Sequence, residues 1–405
     1  MTPGSQARAH FDTAMEHARS GRIEAAVGAY RRALELRPDY FEALANLGNL
    51  LQRLQRRAEA IEAYRGALAL RPGDVNLLTG LGTCELLEGR PKSAIPPLEE
   101  AIRLHPDFTA ALNSLGVAVG KLGDSRRAIE LFRRAVMLRP DFLHAWSNLG
   151  GHLQAVGEDA PAIAAFDRVL ALDATNEEAR FRRDSMAGNV VLRAPDGFVR
   201  EVFDRYADEF DQRLTGDLGY RTPQDFGALI APWLSAHGPA RVLDLGCGTG
   251  LAGLHVRAGA ARLVGVDLSG RMLERAAARG IYDELVEAEV VDFLDRCAPQ
   301  SYDLVMALDV LVYIGNLALL LQSAARVLAP GSVIAFSTED LVDTCDPYRL
   351  ARTGRYSHSR GYVAEAAAAA GFTPVKEEAV VIRKEAGKPV NGRLFAFVGA
   401  ERDAI

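Results

Sequence analysis

Cysteine is scarce: Cys84, Cys247, Cys297 and Cys345 lie tens of positions apart, with no C-x-x-C pair among them. That spacing argues against a disulfide framework and against a thiolate metal site, leaving scattered reduced thiols. Basic charge is also short. With 47 Lys and Arg against 53 Asp and Glu the chain carries −6, and no basic block with interleaved aromatics occurs, so nucleic acid is disfavoured as a partner. Uninterrupted apolar runs are missing too. Tyr302 to Leu321 comes nearest, but Asp303, Asp309, Gly315 and Asn316 break it into strand, loop and helix, and no membrane span is expected. Met1 to His10 lacks the charged and then apolar layout of a signal peptide, which predicts a cytoplasmic protein.

What remains is ordinary globular composition, 49% hydrophobic and 25% charged over 405 residues, enough for two or three domains. The first half is periodic. Pro38, Pro72, Pro106 and Pro140 recur every 34 residues. Aligning the periods puts Gly48, Gly82, Gly116 and Gly150 in one column, with Ala14 in the first period, and Gly21, Gly89, Gly123 and Gly157 in another, with Gln55 as its exception. Ala26, Ala60, Ala94, Ala128 and Ala162 form a third column; Tyr30, Tyr64, Leu98, Phe132 and Phe166 form a fourth. Small residues mark close helix approach, the large side chain fills the space beside them, and proline ends the second helix. The pattern resembles the tetratricopeptide repeat in five copies over about 7–176, with a polar closing helix at Glu177–Met186.

The resemblance implies an all-α solenoid over 1–187 whose concave groove takes a protein partner or protein substrate, or mediates self-association. Asn49, Arg53, Asn113, Lys121, Ser147 and Gln154 fall at first-helix positions that face such a groove. They do not recur in fixed columns, so capture of a peptide's terminal carboxylate is not expected.

Residues 188–197, with two glycines, a proline and no helical period, read as a linker. Phe198, Val202, Phe203, Tyr206, Phe210 and Leu214 then recur at helical spacing, followed by Tyr220-Arg-Thr-Pro223. This 198–222 segment resembles the lid ahead of the core of many S-adenosylmethionine-dependent methyltransferases. The resemblance implies that Tyr206 and Tyr220 face the cofactor.

From Ala240 short apolar strands alternate with helical patterns, the mark of a parallel sheet covered on both faces. Strands are expected at Arg241–Asp244, Arg262–Asp267, Leu285–Val291, Tyr302–Ala307 and Val333–Ser337, with a closing pair at Pro374–Arg383 and Leu394–Gly399. Val242 to Gly250 is an apolar run ending in an acid and breaking into three alternate glycines, a strand turning sharply into a helix beside a ligand. Asp267 ends the next strand, placed to accept the two hydroxyls of a ribose. The G-x-G-x-G spacing differs from the G-x-G-x-x-G of dinucleotide-binding dehydrogenases, and no hydride-transfer constellation follows.

Asp244-Leu-Gly-Cys-Gly-Thr-Gly250 resembles the first motif of class I methyltransferases; the resemblance extends over about Asp196 to Ala400 and places the domain at 198–405. It implies a Rossmann-like α/β domain with a seven-stranded, mostly parallel sheet that binds S-adenosylmethionine and releases S-adenosylhomocysteine, without a metal. It further implies cofactor contacts from Asp244, Gly246, Cys247, Gly248 and Gly250, from Asp267 with Leu268 and Met272, from Asp292 and Phe293 at the adenine, and from Leu308. Asp309 and Tyr313 follow the fourth strand, where the family contacts the methyl-bearing centre and the acceptor; Tyr313 stands where many relatives have histidine.

Gly354-Arg-Tyr-Ser-His358-Ser lies in an insertion after the fifth strand. Together with the repeats, it resembles bacterial predicted methyltransferases that carry tetratricopeptide repeats. Asp309, Tyr313 and His358 are the candidates for acceptor chemistry. Two readings follow: a methyltransferase acting on an oxygen, nitrogen or carbon nucleophile of an unidentified acceptor, or a non-catalytic scaffold whose second domain senses the cofactor. For the first, the insertion around His358 and the lid near Tyr206 point to an enclosed pocket and a small-molecule acceptor, the repeats to a protein.

Overall fold

Each 34-residue period folds as a helical hairpin in the computed structural model, which describes residues 2–189, 191–207, 211, 220–342, 344–385 and 387–400; the side chains of Arg205 and Tyr206 lie outside that description. The second helices, Ile23–Leu36, Arg57–Leu70, Pro91–Leu104, Ser125–Leu138 and Asp159–Leu172, all stop on a leucine. In the first four the proline two residues on forces the stop, because the residue ahead of proline is driven out of the helical region; Arg37 takes φ −145 and ψ 87. The expected columns meet in space. A Cβ at Gly48 would stand 2.8 Å from the Tyr64 ring, at Gly116 2.6 Å from Phe132, and at Gly150 2.9 Å from Phe166. Gly21, Gly89, Gly123 and Gly157 close the first helices at φ 75, 74, 92 and 86, and Gln55 follows them at φ 59.

The chain divides into two compact units at Ala179 and Arg180. In the second, a sheet runs in the order β3-β2-β1-β4-β5-β7-β6. The strands are β1 Ala240–Leu245, β2 Ala260–Asp267, β3 Glu284–Glu287, β4 Tyr302–Ala307, β5 Leu328–Asp340, β6 Tyr348–Leu350, β7 Tyr356–His358, β8 Phe372–Glu385 and β9 Lys388–Gly399. β1 through β5 pair in parallel, while β9 runs antiparallel to β5 and β8 antiparallel to β9.

Among the described residues the sheet has nine strands rather than the seven expected. The additional two are the hairpin β6–β7 inside the insertion, with three residues in each strand, too short for an alternating pattern to register. β3 also ends sooner than expected. The Glu289 carboxylate accepts the amides of Val291 and Asp292 at 2.8 and 2.9 Å, which starts a helix at Val290 in place of further strand.

Val242, Leu243, Leu304 and Val305 are fully buried because both faces of the sheet are covered. Leu243 and Val305 join the core under the helices Val290–Arg296, Ala318–Val327 and Arg360–Ala369; Val242 and Leu304 face the helix Thr222–His237. The carboxyl ends of β1, β2, β3, β4 and β5 therefore share one edge, where ligands bind in open parallel sheets.

Candidate functional site

β1 carries Asp244 to that edge, and the chain turns away through Gly246, Gly248 and Gly250 at φ 64, 54 and 88, conformations open to glycine at little cost. Space makes the same demand: a Cβ on Gly246 would meet Val310 Cγ2 at 2.1 Å. Asp267, at the end of β2, fixes the loop from the neighbouring strand. Its Oδ2 accepts the Gly248 amide at 2.9 Å and its Oδ1 the Ser269 amide at 2.8 Å. Burial raises the Asp267 pKa, and these amides oppose the rise. Asp244 is 1% exposed and accepts a hydrogen bond from the Tyr282 hydroxyl at 2.6 Å. Burial pushes its pKa up to about 7.

The stretch read as a linker does more than connect. Ala194 donates its amide to the Tyr313 carbonyl at 2.8 Å, and Gly315 donates to the Leu192 carbonyl at 2.8 Å. Arg193 pairs with Glu289 at 3.3 Å. The helix Asp196–Tyr206 is tied to the β2 loop: Arg200 donates to the Leu268 carbonyl at 3.0 Å, and Ser269 donates its hydroxyl to Asp204 at 2.5 Å. Asp211 accepts the Thr249 hydroxyl and pairs with Arg279. Phe210, Leu214 and residues 212–219 of the expected lid lie outside the described residues.

Asp309 follows β4 at φ 57, a left-handed conformation that costs a non-glycine residue roughly 1–2 kcal/mol. The Ser337 hydroxyl accepts its amide at 2.9 Å. Asp309 Oδ1 is buried without a hydrogen-bond partner among the described residues; burial raises the carboxyl's pKa, while Arg355 and Arg383 pull it down. Arg355 lies 5.5 Å from the Tyr313 ring centroid and pairs with Glu339 at 3.0 Å.

These elements line a cavity of about 980 Å³, its open mouth included. Val199, Phe203, Leu251, Ala252, Leu308 and Val310 make much of its wall apolar, and Asp196, Asp244, Asp267, Glu289 and Asp309 bring acid to it. Among the described residues Arg193 is the cation on the same wall, and it is paired with Glu289. An acid-lined, largely apolar cavity suits a cationic organic ligand. Among the described residues no group of three or more His, Cys, Asp or Glu could hold a metal ion, and no helix is long and apolar enough to cross a membrane.

Comparison with known proteins locates this geometry. Residues 243–336 match the methyltransferase domain family, and residues 16–55, 46–107 and 113–177 match tetratricopeptide repeat families. An O-methyltransferase, rstn1, from Aspergillus nomiae is 31% identical over 177 residues, which cover 42% of this chain and 71% of that protein. The chain belongs to the methyltransferase family.

A ubiquinone biosynthesis O-methyltransferase from Neisseria meningitidis is 28% identical over 144 residues, 34% of this chain. The chain spans only 59% of that relative's length. The crystal structure of magnesium protoporphyrin IX methyltransferase from Synechocystis with bound SAM aligns at a TM-score of 0.40 and 17% identity, covering 51% of this chain and 97% of that one.

The methyltransferase domain brings together Tyr220, Asp244, Gly246, Cys247, Gly248, Asp267, Leu268, Leu308, Asp309 and Tyr313 around the cavity. Gly250 and Met272 stand behind this wall: Gly250 faces Tyr282, and Met272 is fully buried. Asp292 is exposed in the first turn of the helix Val290–Arg296, and Phe293 packs against the core; Glu289 and Val290 occupy the lining there. His358 is 1% exposed and does not itself line the cavity; it stands behind the wall, with Nε2 at 2.9 Å from the carbonyl of the lining residue Ile314. The Tyr206 side chain lies outside the described residues. Sequence reasoning missed Arg193, Ala194 and Glu289. Only Glu289 left a trace, as an acid one residue ahead of a helix.

Proposed function

We propose that this chain transfers a methyl group from S-adenosylmethionine to an oxygen, nitrogen or carbon nucleophile of its acceptor. The observation that carries the reading is Asp267: one carboxylate pins the glycine loop through Gly248 and faces the same cavity as Leu268 and Asp244. An ionised carboxylate offers about four lone-pair sites, so after accepting two amides it retains capacity for two ribose hydroxyls. The residues fit the cofactor in charge as well, since the acids of the wall face a ligand bearing a sulfonium and an ammonium. Leu268 and Val290 are suited to flank the adenine, with Asp244 and the glycine loop at the amino-acid end.

When bound, the sulfonium supplies an electrophilic methyl and departs as a neutral sulfide. The chain's own contribution is position and dryness. Val199 and Phe203 line the cavity together with Leu308, Asp309, Val310 and Tyr313 from the segment after β4; such apolar walls favour holding donor and acceptor in line with little water between them. Asp309 and Tyr313 are proposed to meet the acceptor. A dedicated base is not required for such a displacement.

For the first unit we propose recruitment of a protein partner or protein substrate, or self-association, through the concave face of the repeats. Isothermal titration of the full chain with S-adenosylmethionine tests the reading: micromolar-class binding, lost in Asp267→Ala, is the expected result. No heat of binding from the native chain would overturn it. Transfer of labelled methyl to extract fractions, with and without the repeat array, then identifies the acceptor and whether the array delivers it.

A further inference from the structure

Tyr282 belongs to none of the motifs in the chain; it lies in the loop between the helix Gly270–Ala278 and β3. Its ring sits in a slot that three glycines leave open. A Cβ on Gly253 would come within 2.5 Å of the Tyr282 hydroxyl, one on Gly250 within 2.9 Å of the ring, and one on Gly265 within 2.9 Å of it. Through this slot the hydroxyl reaches Asp244 Oδ2 at 2.6 Å. A buried carboxylate on a cavity wall is held ionised only where donors or opposite charges compensate its burial. The compensation identified for Asp244 is this phenol.

We propose that Tyr282 is a positioning residue for ligand binding: its hydroxyl keeps the Asp244 carboxylate charged and oriented, presenting a fixed anion to the ammonium end of the cofactor. The inference rests on the reading of the cavity as a site for S-adenosylmethionine. Tyr282 touches the ligand only through Asp244, so its effect is electrostatic and depends on pH.

Among the described residues the titratable groups that interact with Asp244 are Tyr282, Asp267 from β2, Cys247 from the glycine loop and Tyr220 ahead of the helix Thr222–His237; Arg279 acts on Tyr282 through its positive charge. Burial and Asp267 both favour the neutral acid, and the Tyr282 bond opposes them. Removing the phenol therefore moves the protonation of Asp244 to higher pH. Below that pH the acid is neutral and a cationic ligand loses its partner.

The test is calorimetric titration of the full chain with S-adenosylhomocysteine, which keeps the ammonium, from about pH 5.5 to about pH 9. Native affinity is expected to fall as pH drops through about 7. Tyr282→Phe is expected to raise that midpoint by about one pH unit, weakening binding about tenfold on the acid side and little at the alkaline end. Site-specific 3-fluorotyrosine at 282, a stronger donor of nearly the same shape, should move the midpoint the other way and serves if the phenylalanine variant fails to fold. A midpoint unchanged by either replacement, with binding retained, overturns the role of Tyr282. Absence of binding by the native chain at every pH overturns instead the cofactor reading on which it rests.

Discussion

Gly248 donates its backbone amide to Asp267 Oδ2 at 2.9 Å, so the loop after β1 is held in shape by the residue that ends β2. Two consecutive strands thus cooperate in one half of the site. Asp267→Ala removes a candidate ribose partner and leaves the amides of Gly248 and Ser269 without their acceptor. Loss of hydrogen bonds to a charged group costs about 1.5–3 kcal/mol each, so affinity for S-adenosylmethionine is expected to drop at least about a hundredfold. Asp267→Asn should fall nearly as far, because its NH₂ opposes one of the two amides. A calorimetric loss under about threefold in both variants would contradict this arrangement.

Gly246 is expected to tolerate nothing larger. A Cβ there meets Val310 Cγ2 at 2.1 Å on a backbone of φ 64. Gly246→Ala should destabilise the second unit by about 2–4 kcal/mol, adding left-handed strain to a steric clash. Val310→Ala in the same chain removes the clash and leaves the strain, so it should restore only part of the loss. Trp233 belongs to the second unit and Trp146 to the first, so Trp233 fluorescence in a Trp146→Phe background follows this unfolding by itself.

What was legible in the sequence was whatever geometry permits only one residue type. The repeats state the same constraint five times, and Gly48, Gly116 and Gly150 pack on Tyr64, Phe132 and Phe166 as their columns suggested. The loop glycines were legible because each sits at positive φ. Glu289 was obscured by a shift of a few residues: β3 ends early, so the acid facing the cavity is the helix cap and not Asp292. Arg193 and Ala194 could not be seen because a backbone bridge to Tyr313 and Ile314 leaves no side-chain signature. Tyr282 reaches across 38 residues to Asp244, and no local pattern records such a contact.

Gln55 takes the left-handed φ of 59 that Gly21, Gly89, Gly123 and Gly157 take in the other periods. A glycine there pays none of the roughly 1–2 kcal/mol of Cβ strain, although it raises the entropy of the unfolded chain. Gln55→Gly is therefore expected to stabilise the repeat unit by about 0.5–1 kcal/mol. Thermal unfolding followed by helical circular dichroism should show the repeat transition moving up; Gln55→Ala, which keeps the strain, should not reproduce the gain.

His358 supplies a prediction whose sign is fixed by burial. Its Nε2 faces the Ile314 carbonyl at 2.9 Å, its Nδ1 has no partner among the described residues, and burial pushes its pKa down to about 4. An unfolded histidine titrates near 6.5, so the unfolded chain takes up this proton first as pH falls. The neutral, buried imidazole thus contributes its full stability above about pH 6.5, and that contribution declines as pH falls from about 6.5 toward about 4, by about 3 kcal/mol in all. His358→Gln keeps an amide donor for the Ile314 carbonyl and cannot ionise. Its unfolding midpoint, followed through Trp233, should be flatter than the native chain's between about pH 6.5 and about pH 4. If native and variant curves run parallel across that interval, His358 does not carry the acid sensitivity of the second unit.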